Sequence, residues 1–179
     1  MLLWILIIVA SVILDQVSKM IVVSTMDYNQ SIVLIKNIIS LRYIHNEGAA
    51  FGMLSGHRWI FMVITAAALI AMPIILYRYR KLHFLFGLSL SLFIGGAIGN
   101  MIDRVFLGYV VDFFEFTFVD FAIFNVADIC VVCGAVIMMV YVIFFDKEFL
   151  TDKKTPKKAE EVKTADDGTD QENADDGIG

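Results

Sequence analysis

Four long apolar stretches dominate the sequence and restrict what the chain can fold into. They run from Met1 to about Val23, from Trp59 to Tyr77, from Leu82 to Ile102 and from about Phe124 to Phe145. About 20 apolar residues, rising about 1.5 Å each, cross a bilayer core about 30 Å thick. The whole chain is 59% hydrophobic and only 18% charged, unlike a soluble domain. We therefore predict an all-α membrane protein, built as a bundle of four transmembrane helices.

The first stretch resembles a cleaved signal peptide in length, but a signal peptide has a basic start and a small-residue cleavage site. Neither is evident here, so we interpret this stretch as a retained helix. Arg78, Arg80 and Lys81 lie between the second and third stretches, and Lys147 and four lysines between residues 153 and 158 follow the fourth. Short loops rich in Lys and Arg face the cytoplasm. Both termini are therefore predicted to be cytoplasmic.

Residues 24–58 are then external and contain a β-rich part. Ser31–Ser40 and Leu41–Ile44 are rich in β-branched and other large apolar residues, with Asn37 as a turn residue. We expect a small sheet on the membrane surface, followed by a Gly-rich stretch, Gly48–Gly56. Residues 1–150 would form the membrane domain. Residues 151–179 are charged and have almost no large apolar side chain, so a disordered cytoplasmic tail is expected there.

The ionisable residues of the membrane domain gather at its predicted external end. They are Asp15 and Lys19 in the first stretch, Asp103 and Arg104 at the end of the third, Asp112 in the following loop and Asp128 in the fourth. A carboxylate at the bilayer centre costs at least about 2.5 to 3.5 kcal/mol, and less near the interface. Pairing at the interface, of Asp15 with Lys19 or of Asp103 with Arg104, would explain those residues without a function. The grouping as a whole still indicates a site.

Asp112 and Asp128 together offer a specific chemistry. Asn125 and Asp128 are three residues apart and share one helix face, where they should line a polar cavity. Asp112 alone would pass for an ordinary loop acid, but two carboxylates that share a site cannot both ionise cheaply. One keeps its proton while the other accepts a proton from water, which allows metal-free attack on a peptide carbonyl. Glu115 and Asp120 are alternative acids in the same loop.

Other chemistries find little support in the sequence. Cys130 and Cys133 lie in an apolar run, which favours two small helix residues over a redox pair. His45, His57 and His83 lack metal-ligand spacing, and solvent-facing positions are expected for all three. No basic stripe or phosphate-binding loop points to nucleic acid. We expect no metal and no cofactor.

Two other classes of function stay open. A small proton-coupled transporter or channel subunit would also carry carboxylates in its helices, but it should distribute them across the full depth of the membrane. The second to fourth stretches have none near the cytoplasmic side. A non-enzymatic scaffold would use the acids to pair helices. Such a scaffold should tolerate Asp112→Ala, because Asp112 lies in a loop.

Five short motifs follow one another along the chain. They are Asp15-Gln16-Val17-Ser18-Lys19, Asn46-Glu47-Gly48-Ala49-Ala50-Phe51-Gly52, Gly99-Asn100-Met101-Ile102-Asp103-Arg104, Val110-Val111-Asp112-Phe113 and Phe124-Asn125-Val126-Ala127-Asp128. In this order they resemble the motifs of the lipoprotein signal peptidase family, also called signal peptidase II. The similarity runs from about Leu14 to Gly134. Departures are small: Ser18 stands where the family often has Thr, and Ile129 stands where a hydroxyl residue is common.

The resemblance implies an aspartic endopeptidase of the bacterial cytoplasmic membrane, with its active site near the outer face. Its substrates would be prolipoproteins, cut just before a cysteine that carries a diacylglyceryl group. Asp112 and Asp128 match the catalytic pair. The positions matching groups that bind and orient the substrate are Asn46, Asn100, Arg104 and Asn125. The positions matching structural supports are Asp15, Lys19 and Asp103. The expected partners are these prolipoproteins and membrane lipids, with no nucleic acid, and the protein is expected to be a monomer.

Overall fold

Helices and a small sheet alternate along the chain. The computed structural model describes residues 1–48, 58–79 and 83–145. The helices are α1 (Leu2–Thr25), α2 (Arg58–Arg78), α3 (Phe84–Phe106) and α4 (Val126–Phe144). The strands are β1 (Ser31–Ile35), β2 (Ile39–Asn46) and β3 (Val110–Phe116). The predictions for most of the Gly-rich stretch (residues 49–56), for Arg80 and Lys81, for His57 and for the tail at 151–179 lie outside the described residues.

Among the described residues, three helices, α1, α3 and α4, are long and apolar enough to cross a membrane. They confirm three of the four predicted spans. The predicted span at Trp59–Tyr77 also forms a helix, α2, but its apolar part, Met62–Arg78, is shorter than the other three. Its crossing of the membrane stays a prediction.

The buried face of α1 is mostly polar. Its buried residues are Ser11, Asp15, Lys19 and Val22, which follow one another at intervals of four, four and three. These intervals place all of them on one face of the helix. Large apolar residues such as Leu6, Ile13 and Met20 are exposed on the other faces. A helix with its polar side inward and its apolar side outward is suited to a lipid environment.

Helix α3 lies at the centre of the bundle and contacts the other three helices. Its close approach to α1 depends on two glycines. A Cβ atom added at Gly95 would lie 2.6 Å from Cβ of Ser11, and one added at Gly99 would lie 2.5 Å from Oδ2 of Asp15. Two small residues four positions apart on one helix let another helix approach closely, and here they admit α1.

The three strands form an antiparallel sheet in the order β1-β2-β3. The turn between β1 and β2 contains Asn37 in a left-handed conformation (φ 62°), as expected of a turn residue. The sequence predicted strand structure on both sides of this turn. It did not predict β3, which it treated as a loop carrying a lone acid. β3 instead pairs with β2, and Asp112 lies opposite Ile44 in the register.

The sheet is attached to the bundle at one end of α1. Val22 and Met26, at and just after the end of α1, pack with Tyr43 of β2 and with Val111 and Phe113 of β3 in one apolar cluster. A second cluster, among the helices, contains Leu76, Leu90 and Ile94. The first cluster packs β3 against the end of α1, and β3 also contacts α3. It therefore brings Asp112 to the same end of the bundle as the polar face of α1.

Candidate active site

Asp112 of β3 and Asp128 of α4 line one cavity and are bridged by Asn125. Nδ2 of Asn125 donates to Oδ1 of Asp112 at 2.6 Å, and its backbone N–H donates to Oδ2 of Asp128 at 3.1 Å. The cavity has a volume of about 540 Å³ and is lined by both carboxylates. Two acids that are 16 positions apart in the sequence thus share one site.

Asp128 is oriented by the start of its own helix. Asn125 is the N-cap residue of α4, and its Oδ1 accepts the backbone N–H of Asp128 at 3.0 Å. The carboxylate of Asp128 accepts the backbone N–H of Asn125 in return, which completes a capping box. The remaining oxygen, Oδ1, accepts from Nδ2 of Asn100 at 2.8 Å. Both carboxylate oxygens are therefore fixed in direction.

Asp112 is 1% exposed and has an amide donor on each carboxylate oxygen. Asn46 of β2 donates to Oδ2 at 2.7 Å, and Asn125 donates to Oδ1. Burial, and then the neighbouring charge of Asp128, raise the pKa of Asp112 to about 7. The two amides and the positive charge of Lys19 lower this pKa but do not offset the increase. Near neutral pH, Asp112 can therefore hold a proton that an ordinary carboxyl would lose.

Asn100 of α3 connects the two acids to the interior of the bundle. Its Oδ1 accepts from Nζ of Lys19 and from Nδ2 of Asn125, both at 3.0 Å. Because its oxygen faces these two donors, its Nδ2 points the other way and donates to Oδ1 of Asp128. Arg104, one helical turn further along α3, donates to the carbonyl of Asn100 at 3.4 Å and also lines the cavity. The predicted orienting residues thus surround the two acids.

The three residues predicted as structural supports form one buried ion cluster beside the cavity. Nζ of Lys19 lies 2.8 Å from Oδ2 of Asp15 and 2.9 Å from Oδ2 of Asp103. Asp15 and Lys19 do pair, as their spacing allowed, but the pair is buried rather than interfacial. The ion pair of Asp103 is with Lys19 of α1, across the helix interface. The sequence could not predict that partner.

Much of the cavity wall is apolar. Its apolar side chains are Val110, Phe116, Phe121, Ala122, Ile123, Phe124, Ile129, Val131 and Val132, with Cys133 beside them. Phe124 bridges to Phe114 of β3, which holds the loop before α4 against the sheet. Ile129 and Val132 are also exposed on the surface of α4. The cavity therefore continues from the two carboxylates to an exposed apolar face of α4.

Other residues considered in the sequence lie away from the two acids. Glu115 pairs with Arg42 at 3.1 Å, and Asp120 is exposed. His45, which was expected to face solvent, is half-buried. Its ring stacks on Tyr109, with ring centroids 3.7 Å apart, and its Nε2 lies 2.8 Å from the hydroxyl of Tyr43. Burial lowers the pKa of His45, so the ring favours its neutral form.

Sequence reasoning missed one polar residue of the site region. Nε2 of Gln16 lies 3.1 Å from Oδ2 of Asp15, 3.0 Å from Oδ1 of Asp103 and 3.2 Å from the carbonyl of Gly99. Gln16 is the residue after Asp15, and the available signal was a polar side chain within an apolar helix. The aromatic wall of the cavity was also missed, since no sequence pattern distinguishes it from ordinary core residues.

Comparison with known proteins relates this arrangement to one family. A family model described as signal peptidase (SPase) II matches residues 7–144 of the chain. The lipoprotein signal peptidase of Clostridioides difficile (strain 630) is 43% identical over 148 residues, which cover 82% of this chain and 98% of that protein. The chain belongs to the signal peptidase II family.

Other relatives and two solved structures agree with membership of the signal peptidase II family. The lipoprotein signal peptidase of Brevibacillus brevis (strain 47) is 43% identical over 141 residues, which cover 79% of this chain and 91% of that protein. A bacterial membrane enzyme solved by the in meso method at 2.3 Å has a TM-score of 0.75 and 34% identity, over 88% of this chain and 94% of that one. A second, at 1.9 Å, has a TM-score of 0.72 and 36% identity, over 79% and 93%.

Proposed function

We propose that this chain is a membrane-embedded aspartic endopeptidase that removes signal peptides from diacylglyceryl-modified prolipoproteins, cutting just before the lipidated cysteine. The observation that carries the proposal is the placement of Asp112 and Asp128 in one cavity, joined by Asn125. Membership of the signal peptidase II family supports it. Metal and cofactor are not needed for the scheme.

In the proposed mechanism the two acids play different roles. Asp112, with a pKa raised to about 7, holds the shared proton, and Asp128 is ionised. Asp128 accepts a proton from water as the water oxygen attacks the peptide carbonyl, while Asp112 gives its proton to the carbonyl oxygen. The resulting tetrahedral intermediate collapses when the proton on Asp128 passes to the leaving amine. Asp112 recovers its proton from the intermediate, and the pair is ready for another cycle.

The remaining site residues have roles that follow from their contacts. Asn46, Asn100 and Asn125 hold the carboxylates by hydrogen bonds, and they also lie where a peptide backbone would meet the acids. Arg104 lines the same cavity and would bind substrate carbonyl groups. Asp15, Lys19 and Asp103 support the site from behind.

The shape of the cavity suits a lipidated substrate. Its apolar wall continues to the lipid-facing side of α4, so acyl chains could remain in the bilayer while the peptide reaches the carboxylates. We place the protein in the bacterial cytoplasmic membrane, as a monomer that contacts lipids and no nucleic acid. Residues 1–150 would form the four-span peptidase domain, with α2 as the fourth span, both termini cytoplasmic and the site near the outer face. The tail at 151–179 would be disordered.

A transporter would use intramembrane acids differently. It needs proton-binding groups across the depth of the membrane, whereas the acids of the described helices cluster at the end that carries the sheet. That placement favours a reaction at one surface over passage through the bundle.

The test uses the full chain in lipid vesicles, with a diacylglyceryl-modified precursor peptide. We expect Asp112→Asn and Asp128→Asn each to lower the cleavage rate at least about 10³-fold, because each removes one of the two proton-transfer groups. Asp120→Asn, at an exposed acid between β3 and α4, is the matched control and should cleave normally. Wild-type cleavage should also be unaffected by a metal chelator. Normal cleavage by Asp112→Asn or by Asp128→Asn would show that these two acids, here called the dyad, do not act together in the reaction.

A further inference from the structure

Two carboxylates behind the cavity make the same kind of contact. Oδ2 of Asp103 accepts the backbone N–H of Val111 at 3.1 Å, and Oδ1 of Asp15 accepts the backbone N–H of Ala127 at 2.9 Å. Val111 immediately precedes Asp112, and Ala127 immediately precedes Asp128. Each supporting acid therefore holds the backbone N–H of the residue directly before one acid of the pair.

These two contacts belong to one rigid unit. Lys19 pairs with both supporting carboxylates, and Nε2 of Gln16 lies within 3.1 Å of both. Asp15 is fully buried, and Lys19 and Asp103 are each 3% exposed. Ion pairs and charge-assisted hydrogen bonds are strong and directional when they are shielded from water. The separation between Asp15 and Asp103 is consequently fixed by the atoms between them.

The chain needs such a device because the two acids of the dyad repel each other when both are ionised. The N–H of Ala127 is one of the unpaired donors at the first turn of α4, so its bond to Asp15 is also favoured by the helix dipole. The N–H of Val111 belongs to a strand on a separate element. Asn125 and the bridge between Phe114 and Phe124 already join β3 to the start of α4. The bonds to Asp103 and Asp15 add a second connection, which ties both elements to the helices behind the cavity.

We propose that Asp15 and Asp103 are paired positioning residues that set the spacing of the dyad, each by holding the N–H before one dyad aspartate, with Lys19 joining the two. The part of this inference that concerns the reaction rests on the proposed function. The part that concerns the backbone does not, and a measurement that needs no substrate tests it.

The first experiment follows amide hydrogen exchange in the full chain, labelled with ¹⁵N and held in detergent micelles or nanodiscs. Asp103→Asn keeps the shape of the side chain but loses its charge, so exchange at Val111 should speed up about tenfold while Ala127 changes less than about twofold. Asp15→Asn should show the opposite pattern. Lys19→Met should speed up both. Ser18→Ala, which removes a hydroxyl that donates to the carbonyl of Asp15 in the same helix, should change neither.

The second experiment measures cleavage of the lipidated precursor by the same variants in vesicles. A shift of about 1 Å in a catalytic group costs about 10²-fold in rate, so Asp15→Asn and Asp103→Asn should each lower kcat about 10- to 100-fold. KM should stay within about twofold, because neither residue lines the cavity. The fold-decrease in kcat of the double variant should be smaller than the product of the two single fold-decreases. The reason is that both substitutions disturb the same spacing between Asp112 and Asp128.

The outcomes separate this inference from the proposed function. Unchanged exchange at Val111 and Ala127 in the folded variants, or faster exchange with normal kcat, would overturn the positioning role. A rise in KM alone would overturn it as well. Wild-type protein that fails to cleave the precursor would reject the proposed function, while the exchange data would still decide whether the backbone is held as described. If Lys19→Met does not fold, the two Asp→Asn variants, which keep the side-chain volume, decide the question.

Discussion

At the scale of single residues, the site is organised by the limited hydrogen-bonding capacity of its amides. Nδ2 of Asn125 donates to Oδ1 of Asp112 and to Oδ1 of Asn100, and Oδ1 of Asn125 accepts the backbone N–H of Asp128. Asn100 receives two donors on its oxygen and turns its nitrogen to Asp128. Neither amide could be reversed without placing donors against donors. The carboxylates therefore lie in a surrounding that is already oriented before any substrate arrives.

The raised pKa of Asp112 predicts how cleavage depends on pH. In the proposed mechanism Asp112 must carry a proton, so kcat should fall as the pH rises through about 7, by up to about tenfold per pH unit beyond it. Asn46→Ala removes a hydrogen bond that lowers this pKa, and the midpoint of the fall should move to higher pH. The measurement is kcat from about pH 5.5 to 9 in uncharged vesicles. A rate that increases through pH 7 would contradict the assignment.

The same residue predicts a pH-dependent stability. The pKa of Asp112 is about 7 in the folded protein and about 3.9 in an unfolded chain. Its contribution favours folding fully below about pH 4, is lost progressively between about pH 4 and 7, and stays constant above. Asp112→Asn does not ionise. The melting temperature of wild type minus that of Asp112→Asn should therefore decrease from pH 4 to 8.

The residues of the site could be predicted in part, and for a physical reason. Ionisable groups in apolar helices are costly, so Asp15, Lys19, Asp103 and Asp128 were visible as exceptions to the pattern. Their partners were not visible, because Asp103 meets Lys19 and Asp15 meets Ala127 through contacts between distant parts of the chain. Spacing along a helix reveals only neighbours within a turn or two.

At the scale of elements, hydropathy located α1, α3 and α4 but gave no account of β3. Val110–Phe116 is rich in β-branched and aromatic residues, which is typical of a strand. Because it contains Asp112, we predicted a loop for this segment instead. The strand forms because β2 offers an edge and because Phe113 packs against the end of α1. Such tertiary support cannot be read from a seven-residue segment alone.

The contact between α1 and α3 gives a prediction at the element scale. Gly99→Ala would place a methyl group 2.5 Å from Oδ2 of Asp15, and the buried carboxylate has little room to move. We expect a loss of about 1 to 3 kcal/mol in stability together with reduced kcat. Gly87→Ala, which meets only the side chain of Trp4, is the matched control and should keep kcat. Thermal unfolding and cleavage assays measure both, and a fully active Gly99→Ala protein would argue against tight packing here.

At the scale of the whole molecule, the proposed orientation can be tested by labelling. Single cysteines are introduced at Lys36, in the β1–β2 turn, and at Lys154, in the tail, after Cys130 and Cys133 have been replaced by alanine. A maleimide that cannot cross membranes should label position 36 in intact cells or spheroplasts. It should label position 154 only after the membrane is permeabilised. The reverse pattern would place the site on the cytoplasmic side and would contradict the basic-loop argument.

One contact behind the dyad joins residues that are far apart in the sequence, and this has a consequence for biosynthesis. Asp15 lies in α1, which is synthesised before the other described helices, whereas Ala127 lies 112 positions later, at the start of α4. Helices α1 and α3 alone can bring together Asp15, Lys19 and Asp103. Asp128, and the N–H of Ala127 that Asp15 binds, are added only with α4. In the proposed mechanism, a chain synthesised only as far as β3 lacks Asp128 and cannot cleave peptide bonds, and it becomes competent to cleave when α4 joins the other helices.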